Sequence, residues 1–257
     1  MNASEIVGAF GGSVYVVGNV DSQQSLQISC PKLQLDSSRA NTWQCHVNTD
    51  GELVNSQPVG RPLEQDNGRL CKYRGTCSST PILVTPYSSN LDCISAAPRY
   101  WETQTDVTVE VGVGWPAFEV SVVEKKQVDR DVFTCYQPRS WSICVVDCPQ
   151  HRCFCTRVYD EGRHILCSTN TLSDVPCTQA TLSYGVVLDV GGRRLAFIDL
   201  NNNAVLAKFY VSFAELLYPM FGVGSREANY SVQMKLVSGE NIDMTDTKKA
   251  LIYTALT

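Results

Sequence analysis

The spacing of apolar residues predicts β-strands along almost the whole of this chain. An apolar side chain stands at every second position in 107–115, and the alternation returns in 118–122 and in 230–236. Because successive side chains of a strand point to opposite faces, this period of two is typical of a strand with one face buried. Shorter apolar runs at 26–35 and 141–145 fit the same structure.

A meander of three antiparallel strands is predicted nearer the C-terminus. Runs typical of strands occupy 184–190, 193–200 and 204–210. Gly191-Gly192 separates the first two runs, and since glycine takes positive φ angles without steric cost, we expect a two-residue hairpin turn there. Three asparagines from Asn201 separate the second and third runs, and asparagine tolerates the same left-handed region.

Many short strands separated by turn residues predict an all-β protein, either a sandwich or a barrel, rather than a parallel α/β sheet. Residues 50–98 are rich in glycine, proline, serine and asparagine, so we expect long loops with short strands there. Only the C-terminus favours a helix. Thr245 is a suitable N-cap for a helix over 246–256, which contains lysines and alanines.

The charge and hydropathy of the chain argue against two classes of partner. The net charge is −5 and the isoelectric point is near 5.2, whereas a nucleic-acid-binding protein normally presents a basic face. The longest apolar stretch, 107–123, is broken by glutamates and a proline, so we expect no membrane insertion. Lys125-Lys126 and Lys248-Lys249 have acidic neighbours, and we expect both pairs on the solvated surface.

Twelve cysteines leave three interpretations open. Cys144, Cys148, Cys153 and Cys155 crowd into one short segment with His151 among them. Zinc binding is one interpretation, although structural zinc sites usually show separated C-x2–4-C pairs and only the first spacing here resembles one. A disulfide between Cys148 and Cys153 in a hairpin loop is the second. We favour the third, reduced cysteines that serve as small core or edge residues, and therefore expect no metal site.

No motif for catalysis is recognisable in the sequence. The three histidines are His46, His151 and His164, and Gly-x-Ser-x-Gly, His-Glu-x-x-His and P-loop motifs are missing. Cys45 and His46 are adjacent, but neighbouring side chains of a strand point to opposite faces, so they are unsuitable as a nucleophile and its base. We expect a protein that is not an enzyme and that binds no cofactor.

Five blocks of the sequence, in order over 33–237, resemble the B30.2 (PRY-SPRY) domain family. Leu33 to Asn41, followed by Asp50-Gly51, is similar to the Leu-Asp-x-x-x-Ala-(Asn/His) motif of the PRY segment. Two blocks, Arg99-Tyr100-Trp101-Glu102 and Trp141-Ser142-Ile143, are similar to the start of the SPRY core and to its central tryptophan strand. Gly185 to Phe197 is similar to the Gly-Val-x-Leu-Asp block with its following Ser-Phe, and Leu217 to Phe221 is similar to the Leu-x-Pro-x-Phe end.

The resemblance implies a bent antiparallel β-sandwich of the concanavalin-like jelly-roll type, with surface loops that recognise a protein or peptide partner. Such domains are common at the C-terminal end of tripartite-motif proteins and of immune receptors. On this basis we expect 1–25 to be an N-terminal extension and 26–98 a PRY-like segment with long loops. We expect 99–240 to be the SPRY-like core and 241–257 a C-terminal tail, which the helix pattern would make helical.

The resemblance also carries the family's binding positions to Lys125, Asp147 and Phe213. Phe213 would either anchor a partner or pack in the core with Phe209, while Lys125 and Asp147 would either bind or be ordinary surface charges. The first residues lack the basic start of a signal peptide, so we expect a cytoplasmic location. A secreted or cell-surface β-sandwich with disulfides is the alternative.

Overall fold

The computed structural model describes residues 12–18, 25–56, 68–83, 97–110, 116–225 and 230–257. These residues form two packed β-sheets and a short C-terminal helix, which confirms the expected antiparallel β-sandwich. The nine strands of the first sheet are β1 (Gly12–Gly18), β2 (Ser25–Pro31), β3 (His46–Val47), β4 (Leu53–Val54), β6 (Arg99–Val109), β11 (Gln179–Asp189), β12 (Arg194–Asp199), β13 (Ala204–Tyr210) and β15 (Tyr230–Val237). The six strands of the second are β5 (Gly75–Cys77), β7 (Pro116–Glu124), β8 (Ser140–Cys148), β9 (Cys153–Asp160), β10 (Arg163–Ser173) and β14 (Leu217–Val223).

The first sheet has the strand order β13-β12-β11-β6-β15-β4-β3, and the second has the order β10-β9-β8-β7-β14-β5. The hairpin of β1 and β2 joins the first sheet through a parallel bridge between Ser29 and Arg99. The other strand pairs among the described residues are antiparallel. Strands far apart in sequence are thus neighbours, as β6 lies between β11 and β15.

The strands predicted from apolar spacing are present. Runs 26–35, 141–145 and 230–236 correspond to β2, β8 and β15, although β2 ends at Pro31 and Leu35 makes only an isolated bridge with Ser78. The first residues of the run 107–115 form the end of β6, which stops at Val109, and residues 111–115 lie outside the described ranges. The described parts of 50–98 contain only the short strands β4 and β5.

The main core lies between the two sheets. Trp101 of β6, Trp141 of β8 and Phe197 of β12 are almost completely buried in it, together with Phe118 of β7 and Phe221 of β14. Large side chains from both sheets therefore meet in one interior. Removal of this apolar surface from water is the main favourable term in forming such a sandwich.

Strand β7 is buried on both faces, whereas the sequence pattern in 118–122 predicts one buried face. Phe118 and Val120 belong to the main core. On the opposite face, the buried Glu119 carboxylate accepts hydrogen bonds of 2.9 Å from the Thr134 N–H and 2.6 Å from the Cys135 N–H. The segment around Thr134 therefore covers the outer face of β7, which a periodicity of two within the strand does not reveal.

The meander forms as β11, β12 and β13, but its first turn differs from the expected two-residue hairpin. Asp189 pairs with Arg194, so 190–193 form a four-residue loop whose residue with positive φ is Arg193, at 57°. The Asp189 carboxylate accepts a 2.7 Å hydrogen bond from the Gly192 N–H, and a Cβ atom at Gly192 would overlap that carboxylate. Glycine is needed here for close approach, not for positive φ.

Helix α1 (Asp246–Leu256) begins at the predicted cap, because the Thr245 hydroxyl accepts a 3.3 Å hydrogen bond from the Lys248 N–H. Its buried face, which includes Ile252 and Leu256, packs with the β1–β2 hairpin in a second apolar cluster. The prediction that Lys248 is solvated is wrong, since its Nζ lies 2.8 Å from the buried Glu102 carboxylate. The helices of the described ranges are too short or too polar to cross a membrane.

Candidate functional site

The three predicted binding residues do not lie together. The Lys125 N–H donates a 2.9 Å hydrogen bond to the Leu216 carbonyl, which places Lys125 beside the loop that contains Phe213. Phe213 packs on Trp141, whereas Asp147 lies six positions further along the same strand, roughly 20 Å away at the usual rise of a strand. Lys125 and Phe213 therefore share one end of the sandwich, and Asp147 lies towards the other.

Arg139 connects the loops at the Lys125 end. Its guanidinium is paired with the Glu124 carboxylate, lies 3.1 Å from Glu161 Oε1 and donates a 2.6 Å hydrogen bond to the Ser212 carbonyl. Its Cζ also lies 5.5 Å from the centre of the Trp141 ring, within the range of a cation–π contact. The hydrogen bond to Glu124 raises the pKa of the Arg139 guanidinium above its ordinary value. We call this group of contacts the Arg139 corner.

The sequence leaves open whether Phe213 is an exposed anchor for a partner or a core residue, and the structure gives it an intermediate exposure. Its ring is half-buried and meets Trp141 edge to face, with 5.5 Å between ring centres. The Ala214 N–H beside it donates a 2.8 Å hydrogen bond to Glu124. The loop is therefore fixed on the core, and part of the aromatic ring faces solvent.

A groove with an exposed tryptophan lies beside the PRY-like motif, at residues that are not predicted from the sequence. Trp43 is 64% exposed, and Val132, which also lines the groove, is 37% exposed. We name this feature the Trp43 groove. Its lining residues are Asn41, Trp43, Gln44, Cys71, Lys72, Arg74, Asp131 and Val132. A signal was present, since Trp43 stands between polar residues directly after the motif and outside any strand pattern.

Two buried or half-buried side chains hold the wall of this groove. The Asp129 carboxylate accepts hydrogen bonds from the N–H groups of Cys71 at 2.9 Å, Lys72 at 2.7 Å and Tyr73 at 2.9 Å. The buried Asn41 donates through Nδ2 to the Cys71 and Tyr73 carbonyls, at 3.3 and 3.0 Å. A loop whose backbone is bonded this often is preorganised, which lowers the entropic cost of binding.

The Arg139 corner and the Trp43 groove are joined by 125–132. This segment begins at Lys125, which is bonded to the loop of Phe213, and passes through Asp129. It ends at Val132, whose carbonyl accepts a 3.1 Å hydrogen bond from the Arg74 N–H. The segment thus runs from the Arg139 corner, level with Leu217 of β14, to the Trp43 groove, whose Arg74 is level with Val223 of the same strand.

Cys45 and His46, the adjacent residues considered for catalysis, do not form a reactive pair. Cys45 is completely buried, and burial raises the pKa of its thiol to about 12, which makes it a poor nucleophile. The His46 ring instead lies with Nδ1 2.9 Å from the Ser56 carbonyl oxygen. His164 likewise has Nε2 2.8 Å from the Leu166 carbonyl oxygen.

Four potential metal ligands converge elsewhere in the molecule. Ligand atoms of Cys148, His151, Cys155 and Cys167 lie within 4.8 Å of one another. The local spacing of cysteines suggests zinc only within 144–155, and Cys167, which belongs to the next strand, lies outside that segment. The two remaining cysteines of the crowded segment, Cys144 and Cys153, are not part of this group.

Comparisons with known proteins support the fold. No family model matches the chain, and no curated protein matches it. Among solved structures, the TRIM65 PSpry domain is similar with a TM-score of 0.54 and 13% identity, over 79% of this chain and 88% of that one. Stonustoxin is similar with a TM-score of 0.51 and 15% identity, over 80% of this chain and 28% of that one. The SPRY domain of human HERC1 aligns over 82% of this chain and 99% of that one, with 18% identity and a TM-score of 0.42.

Such low identities establish a shared architecture and nothing finer. The two-sheet sandwich and the similarity to the TRIM65 PSpry domain show that this chain has the B30.2 (PRY-SPRY) fold. The prediction from the five sequence blocks is confirmed at this level. The roles of Lys125, Asp147 and Phe213, and the boundaries of the PRY-like and SPRY-like segments, stay predictions.

Proposed function

We propose that this chain is a recognition module that binds a protein or peptide partner through the Trp43 groove, with the Arg139 corner as a second contact further along the sandwich. The observation that carries the proposal is the exposure of Trp43, 64%, on a loop surface fixed by hydrogen bonds. Tryptophan and arginine are the residues most enriched among those that dominate binding energy. Function on loops above a rigid sheet scaffold is also the common arrangement for a β-sandwich.

The chemistry of the groove favours a particular kind of partner. Trp43 and Val132 offer apolar surface, and Lys72 and Arg74 add positive charge beside it. A segment with an apolar or aromatic side chain next to an acidic residue would match both. In this proposal Lys125 and Phe213 form the second contact, at the Arg139 corner, and Asp147 makes no contact with the partner.

The proposal includes binding without catalysis and a cytoplasmic location. The eleven cysteines within the described residues are all free, and reduced thiols fit a reducing compartment. The alternative, a secreted disulfide-containing binding protein, predicts a mobility change in electrophoresis when reductant is added. Equal mobility with and without reductant would remove that alternative.

A displayed peptide library tests the binding surface. Peptides are selected against the wild-type protein, and the affinity of the best one is measured by fluorescence anisotropy. Trp43→Ala should weaken its binding by at least about 30-fold, the effect of an interface residue worth roughly 2 kcal/mol. Phe213→Ala should weaken it less, because part of that ring packs on Trp141.

Val175→Ala is the matched control. Val175 is 58% exposed, but it lies in the loop between β10 and β11, so its removal should leave the affinity unchanged. Thermal unfolding of each variant checks that the fold is intact, and loss of the exposed Trp43 ring should change it little. Full affinity in both Trp43→Ala and Phe213→Ala would overturn the proposed surface.

A further inference from the structure

Strand register explains how three cysteines reach the same face of the second sheet. Cys148 of β8 is directly opposite Cys153 of β9, and Cys155 follows two residues later. Cys167 of β10 is directly opposite Arg157, two residues after Cys155. Because residues directly opposite one another, and residues two apart in a strand, point to the same face, all these side chains share one face.

This face is the outer one. Phe154 and Val158, which alternate with these residues in β9, belong to the core between the sheets. The cysteines therefore point away from the core. Cys148 and Cys155 are nevertheless buried, while Cys167 is half-buried and His151 is exposed. A small ion could reach such a cluster from solvent.

The hairpin loop brings a histidine onto the same face. The His151 and Arg152 N–H groups both donate to the Cys148 carbonyl, at 2.9 and 3.0 Å, and Arg152 has a φ of 51°. This tight turn folds the His151 ring back over the sheet. Its Nδ1 lies 3.3 Å from Cys148 Sγ and 3.1 Å from Cys155 Sγ.

The distances are close to those of a tetrahedral metal site. With Zn–S near 2.3 Å and Zn–N near 2.0 Å, a tetrahedron holds its ligand atoms about 3.5–3.8 Å apart. The separations from His151 are a few tenths of an ångström shorter, and the full set lies within 4.8 Å. Small side-chain rotations are enough to place an ion between the four atoms.

We propose that Cys148, His151, Cys155 and Cys167 bind one Zn²⁺ ion as a structural site. Three thiolates and an imidazole are a ligand set typical of structural zinc, and four protein ligands leave no open position for a substrate. The three thiols release their protons when the ion binds. The bound site then carries a net charge of about −1, and Arg157, whose guanidinium interacts with Cys148, balances it.

The site would link three strands and a turn at the outer face of the second sheet. Cys148 ends β8, Cys155 lies in β9 and Cys167 lies in β10, the edge strand of this sheet. Zinc would thereby fix the edge of the sheet and the turn of His151. The competing fate of the same sulfur atoms is a disulfide from Cys148 to Cys153 or to Cys155.

Metal content of the purified full chain tests the proposal. The protein is purified with a thiol reductant and without chelator, given zinc, freed of unbound metal and analysed by mass spectrometry for zinc. We expect about one zinc per chain. His151→Ala and Cys167→Ser should bind zinc at least about 100-fold more weakly, since each removes a direct ligand. His151 is exposed, so its removal should leave the fold intact, as circular dichroism would show.

Cys153→Ser is the matched control. Cys153 lies in the same hairpin, directly opposite Cys148, yet outside the group of four, so this variant should keep its zinc. Cobalt provides a second measurement: wild type and Cys153→Ser should show the visible bands of tetrahedral cobalt with thiolate ligands, and His151→Ala should not. A chelator should lower the melting temperature of the wild type but not of His151→Ala.

Several results would overturn the site. They are the absence of zinc from the reduced wild type, equal zinc in wild type and Cys167→Ser, or loss of zinc from Cys153→Ser as complete as from His151→Ala. A disulfide that joins Cys148 to Cys153 or Cys155 under the reducing conditions, mapped by peptide mass spectrometry, would also overturn it.

Discussion

Asn55 and Val232 are paired through both the backbone and the side chain of Asn55. The Asn55 N–H donates a 3.2 Å hydrogen bond to the Val232 carbonyl, and the Val232 N–H donates a 2.8 Å hydrogen bond to Asn55 Oδ1. Asn55 Nδ2 also donates to the Tyr230 carbonyl at 2.8 Å. A buried amide side chain thus continues the pairing of β4 with β15 where the backbone of β4 has ended.

Asn55→Ala should therefore destabilise the fold. The substitution leaves the Val232 N–H and the Tyr230 carbonyl without their side-chain partner in the interior, and we expect a loss of about 2–4 kcal/mol in the free energy of unfolding. Ser231→Ala, an exposed position of the same strand, should change it by less than about 0.5 kcal/mol. Urea unfolding of both variants measures the difference, and an equal effect of the two would contradict this role.

Two substitutions of Asp129 should lower the free energy of unfolding by different amounts. Its carboxylate accepts three backbone hydrogen bonds from 71–73 while its own φ is 61°. Asp129→Ala removes all three and places alanine in the left-handed region, so we expect a loss of about 2–3 kcal/mol. Asp129→Asn keeps an acceptor and suits that φ, so we expect about half this loss. Chemical denaturation gives both values, and a greater loss for the asparagine variant would contradict the account.

Glu119 should make stability depend on pH. Burial raises the pKa of its carboxyl above the ordinary value, despite the hydrogen bonds from the Thr134 and Cys135 N–H groups. A carboxyl with a raised pKa in the folded state favours folding while it is protonated, and this contribution is lost as the pH rises from the unfolded pKa, about 4.3, towards the folded one.

Glu119→Gln cannot titrate and serves as the reference. We expect the unfolding free energy of wild type minus that of Glu119→Gln to be greatest at low pH and to fall as the pH rises through this window. Urea denaturation of both proteins over a series of pH values provides the measurement. A difference that increases with pH would mean that the folded carboxyl has a lowered pKa instead.

The cysteines should differ widely in reactivity towards iodoacetamide. Cys71 and Cys177 are exposed, whereas burial raises the pKa of Cys30 and Cys45 to about 12 and that of Cys77 to about 11. Because the thiolate is the reactive species, the exposed pair should be alkylated first and the buried three only after unfolding. A timed labelling series read by peptide mass spectrometry shows the order, with labelling in denaturant as the control. Alkylation of Cys45 as fast as Cys177 in the native protein would contradict the burial.

Only part of the candidate site could be predicted from the sequence, through its resemblance to the B30.2 (PRY-SPRY) family. It led to Lys125 and Phe213, which the structure places at one end of the sandwich, and to Asp147, which lies towards the other. It did not lead to Trp43 or Arg139. Both residues acquire their environment from segments distant in sequence, such as 71–74 for Trp43.

The sequence by itself determined the strands with clear apolar alternation, such as β7, β8 and β15, and the capped helix at the C-terminus, because periodicity, turn residues and the Thr245 cap act within a few residues of one another. Only the tertiary structure decided which residues meet across strands. It brings Cys167 to Cys148, pairs Lys248 with Glu102 and covers the outer face of β7 with the segment at Thr134. These contacts depend on strand register and loop closure over long sequence separations, and the local pattern of apolar and polar residues does not encode them individually.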